Sequence, residues 1–273
     1  MSDGLRIAYR VSGAGAPLLF LNGVGSVQAI WRKQVSSLSR RFRCITFDYR
    51  GYGESERPPA SALLPGATGR QAISREALAR DALAVLRAAK ARSAHLCGCS
   101  LGGVLALECY RQAPQHIRSL ILVDSFAHYP HGLETIAERL RIITELGIEA
   151  FADSRAPGVL KPGAALGSVT MVRQHMASIP LAVYLVATRA TWTGDYRRLL
   201  PEIARPALVV WGENDTVIAP RALSDELVRR VPAAEFAMIP NAGHLPNVDN
   251  PRRFNAVLAR FVDSVERAAA SAS

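Results

Sequence analysis

A serine flanked by glycines is the clearest chemical signal in the sequence. Ser100 lies at the centre of Gly98-Cys99-Ser100-Leu101-Gly102, which is a G-x-S-x-G motif. An apolar run precedes the motif and a helical pattern follows it, so we predict a sharp strand-to-helix turn that lifts the hydroxyl clear of a sheet. Such a turn needs residues without side chains, and free N–H groups at the helix start favour an oxyanion. We interpret Ser100 as a nucleophile; the alternative is a serine that caps a helix in a tight turn.

A serine hydroxyl is a weak nucleophile near neutral pH and needs a general base. His244 is the best placed of the six histidines, because it lies in a loop directly after the last strand run of the chain. The other histidines are less well placed. His95 begins a strand run and His116 follows a helix end. His128 and His131 lie at the start of a helical insertion, and His175 lies on a helix within it.

The base needs an acid that orients its ring and stabilises its charged form. Asp215 follows another strand run immediately, and Ser100, Asp215 and His244 have the Ser…Asp…His order that accompanies a nucleophile on a G-x-S-x-G strand-to-helix turn. Asp124 also follows a strand and is the alternative acid. We favour Asp215.

An acyl-transfer site also needs two fixed N–H donors for the oxyanion. The first expected donor is the backbone of Leu101, directly after the nucleophile. The second is expected in the turn 22–25 that follows the apolar run 18–21, and Val24 is our choice within it.

The elements that would position these residues alternate along the chain. Apolar or alternating runs predict strands at 5–11, 18–21, 44–47, 94–97, 120–123, 207–211 and 235–239. Helical periodicity, together with residues that typically start or end helices, predicts helices from Ser74, over 101–113 and over 221–231. A last helix is predicted from Pro251, with Asn250 as its cap. The polar stretch 53–70 reads as a loop, and the Ala/Ser-rich tail after Glu266 as frayed. Alternating strands and helices predict an α/β fold whose mostly parallel sheet is covered on both faces.

One long stretch breaks the alternation. Residues 126–205 carry helical stripes and no strand run, so we predict a helical insertion there, with the core formed by 1–125 and 206–273. The chain of 273 residues is long enough for one sizeable core with such an insertion.

Composition excludes several classes of protein. The net charge is +10, but the basic residues are scattered and form no stripe or motif, which argues against nucleic-acid binding. No apolar run reaches the roughly 20 residues of a membrane span, and the N-terminus lacks a signal-peptide core. We therefore expect no membrane partner and a cytoplasmic location. A surface rich in arginine is the plain interpretation of the charge; attraction of anionic substrates into a cleft is the other.

The four cysteines are expected to be reduced, packed thiols. Cys97 and Cys99 offer one ligand pair at most, without the further ligands that a zinc site needs. We expect no metal and no organic cofactor.

Five segments in order make the chain resemble the α/β-hydrolase superfamily over nearly its full length. They are residues 21–25, 47–55, the Ser100 turn, 211–215 and 241–244. Asn22 stands where the family usually has a histidine of structural role, and Asn22 together with 28–35 resembles the 3-oxoadipate enol-lactonase and carboxylesterase-like branch. The chain starts almost directly at its first strand, so about seven strands are expected in place of eight.

The resemblance implies that 126–205 forms a cap over the active site; a structural helical layer is the alternative. Trp192 and Tyr184 would then line an acyl pocket, or else pack in the core. The candidates for holding a substrate carboxylate are Arg139, Arg141, Arg155, Arg173 and Arg189, each of which otherwise lies at the surface.

These expectations together predict a serine hydrolase that cleaves a small carboxylic ester or lactone through an acyl-enzyme. The alternatives are a C–C bond hydrolase of a ring-fission diketone, a cofactor-free perhydrolase, and a ligand receptor on the same fold. A homodimer is compatible with the sequence, which does not define the oligomeric state.

Overall fold

A computed structural model describes residues 3–64, 67–69 and 71–271. Its seven strands are β1 Tyr9–Ser12, β2 Pro17–Leu21, β3 Arg43–Phe47, β4 Ala94–Cys99, β5 Ile117–Val123, β6 Ala207–Gly212 and β7 Ala234–Ile239. They form one sheet in the order β1-β3-β2-β4-β5-β6-β7. Only β1 runs antiparallel to its neighbour β3; the other pairs are parallel. The expected α/β class and strand number are confirmed.

Nine α-helices occur in the described part of the chain. They are α1 Arg32–Leu38, α2 Arg75–Ala88, α3 Leu101–Gln112, α4 Gly132–Arg155, α5 Leu166–Ala177, α6 Leu181–Trp192, α7 Arg221–Arg230, α8 Pro246–Asp249 and α9 Pro251–Ser271. Ser74 caps α2 as expected, because its hydroxyl accepts a hydrogen bond from the Ala77 N–H at 3.2 Å.

The sheet is buried because helices cover both of its faces. Every residue of β4 and β6 is buried, whereas β1 and β7 at the edges are partly exposed. Apolar residues of α2, α3 and α7 pack on one face, and those of α1 and α9 pack on the other. Continuous apolar runs such as 18–21 are therefore the expected signature of the interior strands.

Between β5 and β6 the chain forms α4, α5 and α6, and α4 contacts both of the others. The helix α4 is broken at Gly147, whose φ of 79° and ψ of 167° are not helical. Glycine tolerates this left-handed φ without the steric penalty that a side chain brings. The break divides α4 into two segments of different direction.

Several predicted boundaries are wrong. The first strand starts at Tyr9 and not at residue 5, because the Arg6 and Ala8 N–H groups bond to the side chains of Glu56 and Ser55 instead of to a strand. Within 53–70, Ala60–Leu63 forms a 3-10 helix, and residues 65, 66 and 70 lie outside the described part.

The C-terminal tail was also predicted wrongly. Helix α9 continues through the alanines to Ser271, because alanine has the highest intrinsic helix propensity. Helix α1 was missed, since its buried face includes the polar residue Gln34.

All four cysteines are buried and none forms a disulfide. Burial raises the pKa of the Cys44 thiol to about 12 and moves the pKa of each of the other three upward as well. In the described residues, no helix has the length and apolar character that crossing a bilayer requires.

Candidate active site

Ser100 lies at the tip of the turn between β4 and α3, in a strained backbone conformation. Its φ is 55° and its ψ is −117°, a region that residues with a side chain rarely adopt. Its N–H donates to the Val123 carbonyl at 2.9 Å, and its carbonyl accepts from the Gly103 N–H at 2.9 Å. These bonds hold the turn from both sides, and strain of this kind concentrates at functional sites.

Two glycines of the motif are required by close backbone approach. A Cβ on Gly98 would overlap the backbone of Gly102, and a Cβ on Gly102 would overlap the Leu21 carbonyl at the end of β2. The start of α3 can therefore approach the strand ends closely only with hydrogen atoms at these positions.

His244 and Asp215 form a short, buried hydrogen bond. His244 Nδ1 lies 2.6 Å from Asp215 Oδ2, and both side chains are almost fully buried. Asp215 Oδ1 also accepts the Ile218 and Ala219 N–H groups, each at 3.1 Å. Burial alone would raise the pKa of Asp215, but the charge of His244 and these hydrogen bonds outweigh it, so the pKa lies below its ordinary value. The carboxylate therefore stays ionised beside the ring.

Asp124, the alternative acid, has a different environment. It is completely buried, its Oδ1 accepts the Gly212 N–H at 2.9 Å, and its Oδ2 has no hydrogen-bond partner among the described residues. Burial, together with the nearby charge of Asp215, raises its pKa well above the ordinary value. The structure therefore pairs His244 with Asp215 and leaves Asp124 beside them.

Ser100 and His244 line the same cavity without a direct hydrogen bond between their side chains. Catalytic hydrogen bonds are often long before substrate binds, so the missing bond does not exclude Ser100 and His244 as nucleophile and base. The cavity wall also includes Val24. The N–H groups of Val24 and Leu101 donate to no acceptor in the described residues, which leaves both open to an oxyanion.

The turn that carries Val24 is held by Asn22. Asn22 Oδ1 accepts the Trp31 Nε1–H at 2.9 Å, and Asn22 Nδ2 donates to the Phe47 carbonyl at 3.0 Å. The Tyr49 hydroxyl donates to the Asn22 carbonyl at 2.8 Å. Asn22 thus has a structural environment behind the site and does not contact the cavity.

About 470 Å³ of space between the side chains of this cavity is not filled by protein atoms, and this figure includes the part that opens to solvent. Apolar side chains dominate its wall, and it has a few polar groups. Its lining residues are Gly23, Val24, Gly25, Ser26, Ser100, Arg139, Arg155, Val159, Val172, Met176, Tyr184, Trp192, Ile218, His244 and Leu245.

The helices between β5 and β6 supply one side of this cavity. Trp192 and Tyr184 line it, and both are also packed in the core. Of the five candidate arginines, Arg139 and Arg155 reach the cavity. The other three do not: Arg141 pairs with Glu145, Arg173 with Glu149 and Asp153, and Arg189 lines a separate groove.

Ile218 and Leu245 are among the apolar wall residues that sequence reasoning missed. Each lies within three positions of a triad candidate, Asp215 or His244, so proximity along the chain was the available signal. It also missed Met176, whose position on α5 gives no such signal. No group of three or more His, Cys, Asp or Glu side chains in the described ranges is arranged to hold a metal ion.

A sequence model of the alpha/beta hydrolase family matches residues 18–257, so the chain belongs to that family. A relative from Azorhizobium caulinodans, named as a candidate carbamate hydrolase RutD, is 28% identical over 95% of this chain and 96% of its own length.

Two solved structures show how far the likeness extends. A thermophilic esterase from Thermogutta terrifontis is 27% identical, with a TM-score of 0.82 over 96% of this chain and 94% of its own. The enol-lactonase from Burkholderia xenovorans LB400 has a TM-score of 0.83 over 96% of this chain and 98% of its own. At 23% identity, this second likeness concerns the fold alone.

Proposed function

We propose that this chain is a serine hydrolase that cleaves a small carboxylic ester or lactone through an acyl-enzyme. One observation carries the proposal. The strained Ser100 turn and the His244–Asp215 pair, joined at 2.6 Å, open onto one cavity. This is the arrangement of nucleophile, base and orienting acid that acyl transfer needs.

In the proposed first half-reaction, Ser100 Oγ attacks the carbonyl carbon while His244 Nε2 takes the hydroxyl proton. The oxyanion of the tetrahedral intermediate accepts hydrogen bonds from the Val24 and Leu101 N–H groups. His244 then returns the proton to the leaving oxygen, and the C–O bond breaks. The products are an alcohol, tethered in the case of a lactone, and an acyl group on Ser100.

Water completes the cycle in the second half-reaction. His244 takes a proton from water as the water oxygen attacks the acyl carbon, and then returns it to Ser100 Oγ as the acid leaves. Throughout, Asp215 accepts the Nδ1–H and stabilises the imidazolium. The reaction consumes one water and needs no oxidant or reductant.

We also propose that residues 126–205 act as a cap that selects the substrate. Support comes from the cavity wall, to which α4, α5 and α6 contribute Arg139, Met176 and Trp192 respectively. These side chains line the same cavity as Ser100, so changes in this segment should alter substrate preference more than they alter reactivity toward a small acyl donor.

Carbamate cleavage is a second candidate, because the relative from Azorhizobium caulinodans is named for it and matches nearly the whole chain. A carbamate carbonyl is open to the same serine attack. The likeness to the esterase from Thermogutta terrifontis favours ester cleavage.

The test is a steady-state comparison of one purified protein on four substrates: a short 4-nitrophenyl ester, a five-membered lactone, an aryl carbamate and a vinylogous diketone. We expect the highest kcat/KM on the ester or lactone, and no turnover with Ser100→Ala. Preference for the carbamate or the diketone would replace the proposed substrate class. Stoichiometric binding without turnover of any of them would indicate a receptor.

A further inference from the structure

Two arginines of α4 enter the cavity that holds Ser100. Arg139 lies in the first segment of the broken helix and Arg155 is its last residue. Both side chains are partly buried, and neither forms an ion pair with a carboxylate in the described part of the chain. A cation withdrawn from water and left unpaired is costly, so such a pair is an unusual feature for an otherwise apolar wall.

Arg155 is the less satisfied of the two. Its Nε atom is buried and has no hydrogen-bond partner among the residues described. Burial first, and then the charge of Arg139, lower the pKa of its guanidinium. Glu138 is the acidic group that acts on it, but it lies too far away for an ion pair. The site thus holds a positive charge with a buried donor, Nε–H, that has no acceptor among the described residues.

Arg139 is held in place by aromatic rings. Its guanidinium carbon lies 4.2 Å from the centroid of the Trp192 ring, and its Nη1 lies 3.5 Å from the Tyr184 hydroxyl. Stacking on an aromatic face fixes the plane of a guanidinium and leaves its edges free for a planar anion. Trp192 and Tyr184 therefore orient the cation as well as lining the cavity.

We infer that Arg139 and Arg155 form a carboxylate-binding subsite, so that the substrate is an ester or lactone bearing a second, ionised carboxyl group. This inference rests on the proposed ester or lactone hydrolysis at Ser100. A carboxylate matches the planar fork of a guanidinium with two parallel hydrogen bonds. The apolar remainder of the wall, including Val159, Val172 and Ile218, suits a short aliphatic chain between the two ends of the substrate.

The first experiment compares two activated esters of matched shape. 4-Nitrophenyl hemisuccinate ends in a carboxylate, and 4-nitrophenyl 4-methylpentanoate ends in an isopropyl group of similar size. Both release the same phenolate, so the ratio of their kcat/KM values isolates the terminal group. The native enzyme should prefer the hemisuccinate by about tenfold or more, and Arg155→Met or Arg139→Met should reduce this ratio by roughly 10- to 100-fold.

Matched variants keep the interpretation clear. Arg141→Met removes an arginine from the same helix, but one that pairs with Glu145 outside the cavity, and it should leave the ratio unchanged. Arg155→Lys keeps the charge without the planar fork and should retain part of the preference. Neither arginine forms an ion pair within the described ranges, so its replacement by methionine breaks no salt bridge there and should not unfold the protein; thermal melting of each variant checks this.

A binding measurement separates this inference from the proposed reaction. Monomethyl succinate is titrated by calorimetry into Ser100→Ala, which cannot turn it over, and into the same variant with Arg155→Met. Binding that Arg155→Met abolishes supports the subsite, even if the native enzyme hydrolyses neither ester. Equal hydrolysis of both esters, unaffected by Arg139→Met and Arg155→Met, overturns the subsite and leaves the serine hydrolase proposal standing.

Discussion

Asp124 Oδ1 accepts a hydrogen bond from the Gly212 N–H at 2.9 Å, which ties the end of β5 to the end of β6. Asp215, three residues further along from Gly212, contacts His244 instead. The two buried carboxyl groups therefore have different tasks: one joins strands, and the other faces the imidazole.

This division predicts different kinetic effects for the two aspartates. Asp215→Asn removes the ionised partner of His244 and should lower kcat by about 10³- to 10⁴-fold on a hydrolysed ester. Asp124→Asn keeps the amide oxygen that can accept the Gly212 N–H and should cost less than about tenfold. Steady-state kinetics on both variants provides the measurement, with circular dichroism as a check on folding. A larger loss of kcat in Asp124→Asn would identify Asp124 as the acid.

The raised pKa of Asp124 also predicts how stability depends on pH. A carboxyl whose pKa is raised by folding should stay protonated above its ordinary pKa of 3.8, where the unfolded chain releases the proton. Because the folded state then binds more protons, the free energy of unfolding falls by about 1.4 kcal/mol per pH unit from near pH 4 up to the raised pKa. Asp124→Asn should remove this contribution.

Urea unfolding at a series of pH values from 4 upward measures the effect, with the difference in slope between native protein and Asp124→Asn as the readout. A constant offset between the two proteins would reflect packing alone. Parallel pH dependences would show that Asp124 carries a charge in the folded state.

Ser100→Ala should abolish covalent labelling by a fluorophosphonate while leaving the melting temperature within a few degrees of the native value. The reason is that the reagent forms its bond to an activated serine oxygen, and alanine has none. Mass spectrometry of the intact protein measures the labelling. Ser125→Ala is a useful control, because Ser125 is buried beside the turn and donates to the Ser100 carbonyl at 2.8 Å. Undiminished labelling of Ser100→Ala would exclude Ser100 as the nucleophile.

Gly102→Ala should destabilise the protein strongly and remove activity. The added methyl group would meet the Leu21 carbonyl, so the start of α3 must move away from β2 and with it the Leu101 N–H. Overpacking of this kind typically costs about 1 to 3 kcal/mol. Gly167→Ala is the matched control, since Gly167 lies in the exposed first turn of α5 with no atom near an added Cβ. Chemical denaturation of both variants measures the difference. Equal stability would mean that the turn accommodates a side chain.

The sequence was most informative about the three candidate catalytic residues, because each of them lies in a loop or turn that begins at a strand end. Ser100, Asp215 and His244 each follow a strand directly, and in this sheet the strand ends meet along one edge. Position along the chain therefore predicted position in space. The glycines around Ser100 added a second constraint, because their spacing reflects backbone approach and not side-chain chemistry.

The shared cavity of Arg139 and Arg155 could not be predicted from the sequence. On an unbroken helix, Arg139 and Arg155 would point in directions roughly 160° apart. The non-helical backbone of Gly147 changes the register, and both side chains reach one cavity. No periodicity in the sequence reveals this change. Helix α1 was missed for a related reason: the buried Gln34 bonds to Asn247 and Asn255, which are more than 200 residues away in the chain.

The buried cysteines have a practical consequence. Cys44, Cys97, Cys99 and Cys109 all lie inside the fold, and burial raises each thiol pKa, so few thiolates are available to react. Thiol-directed probes should therefore react little with the native cysteines of the folded protein. A single cysteine introduced at an exposed site such as Leu146, beside the break in α4, would carry a fluorophore or spin label selectively. Such a label would report whether α4 moves when a test ester is added, and no native core residue has to be removed.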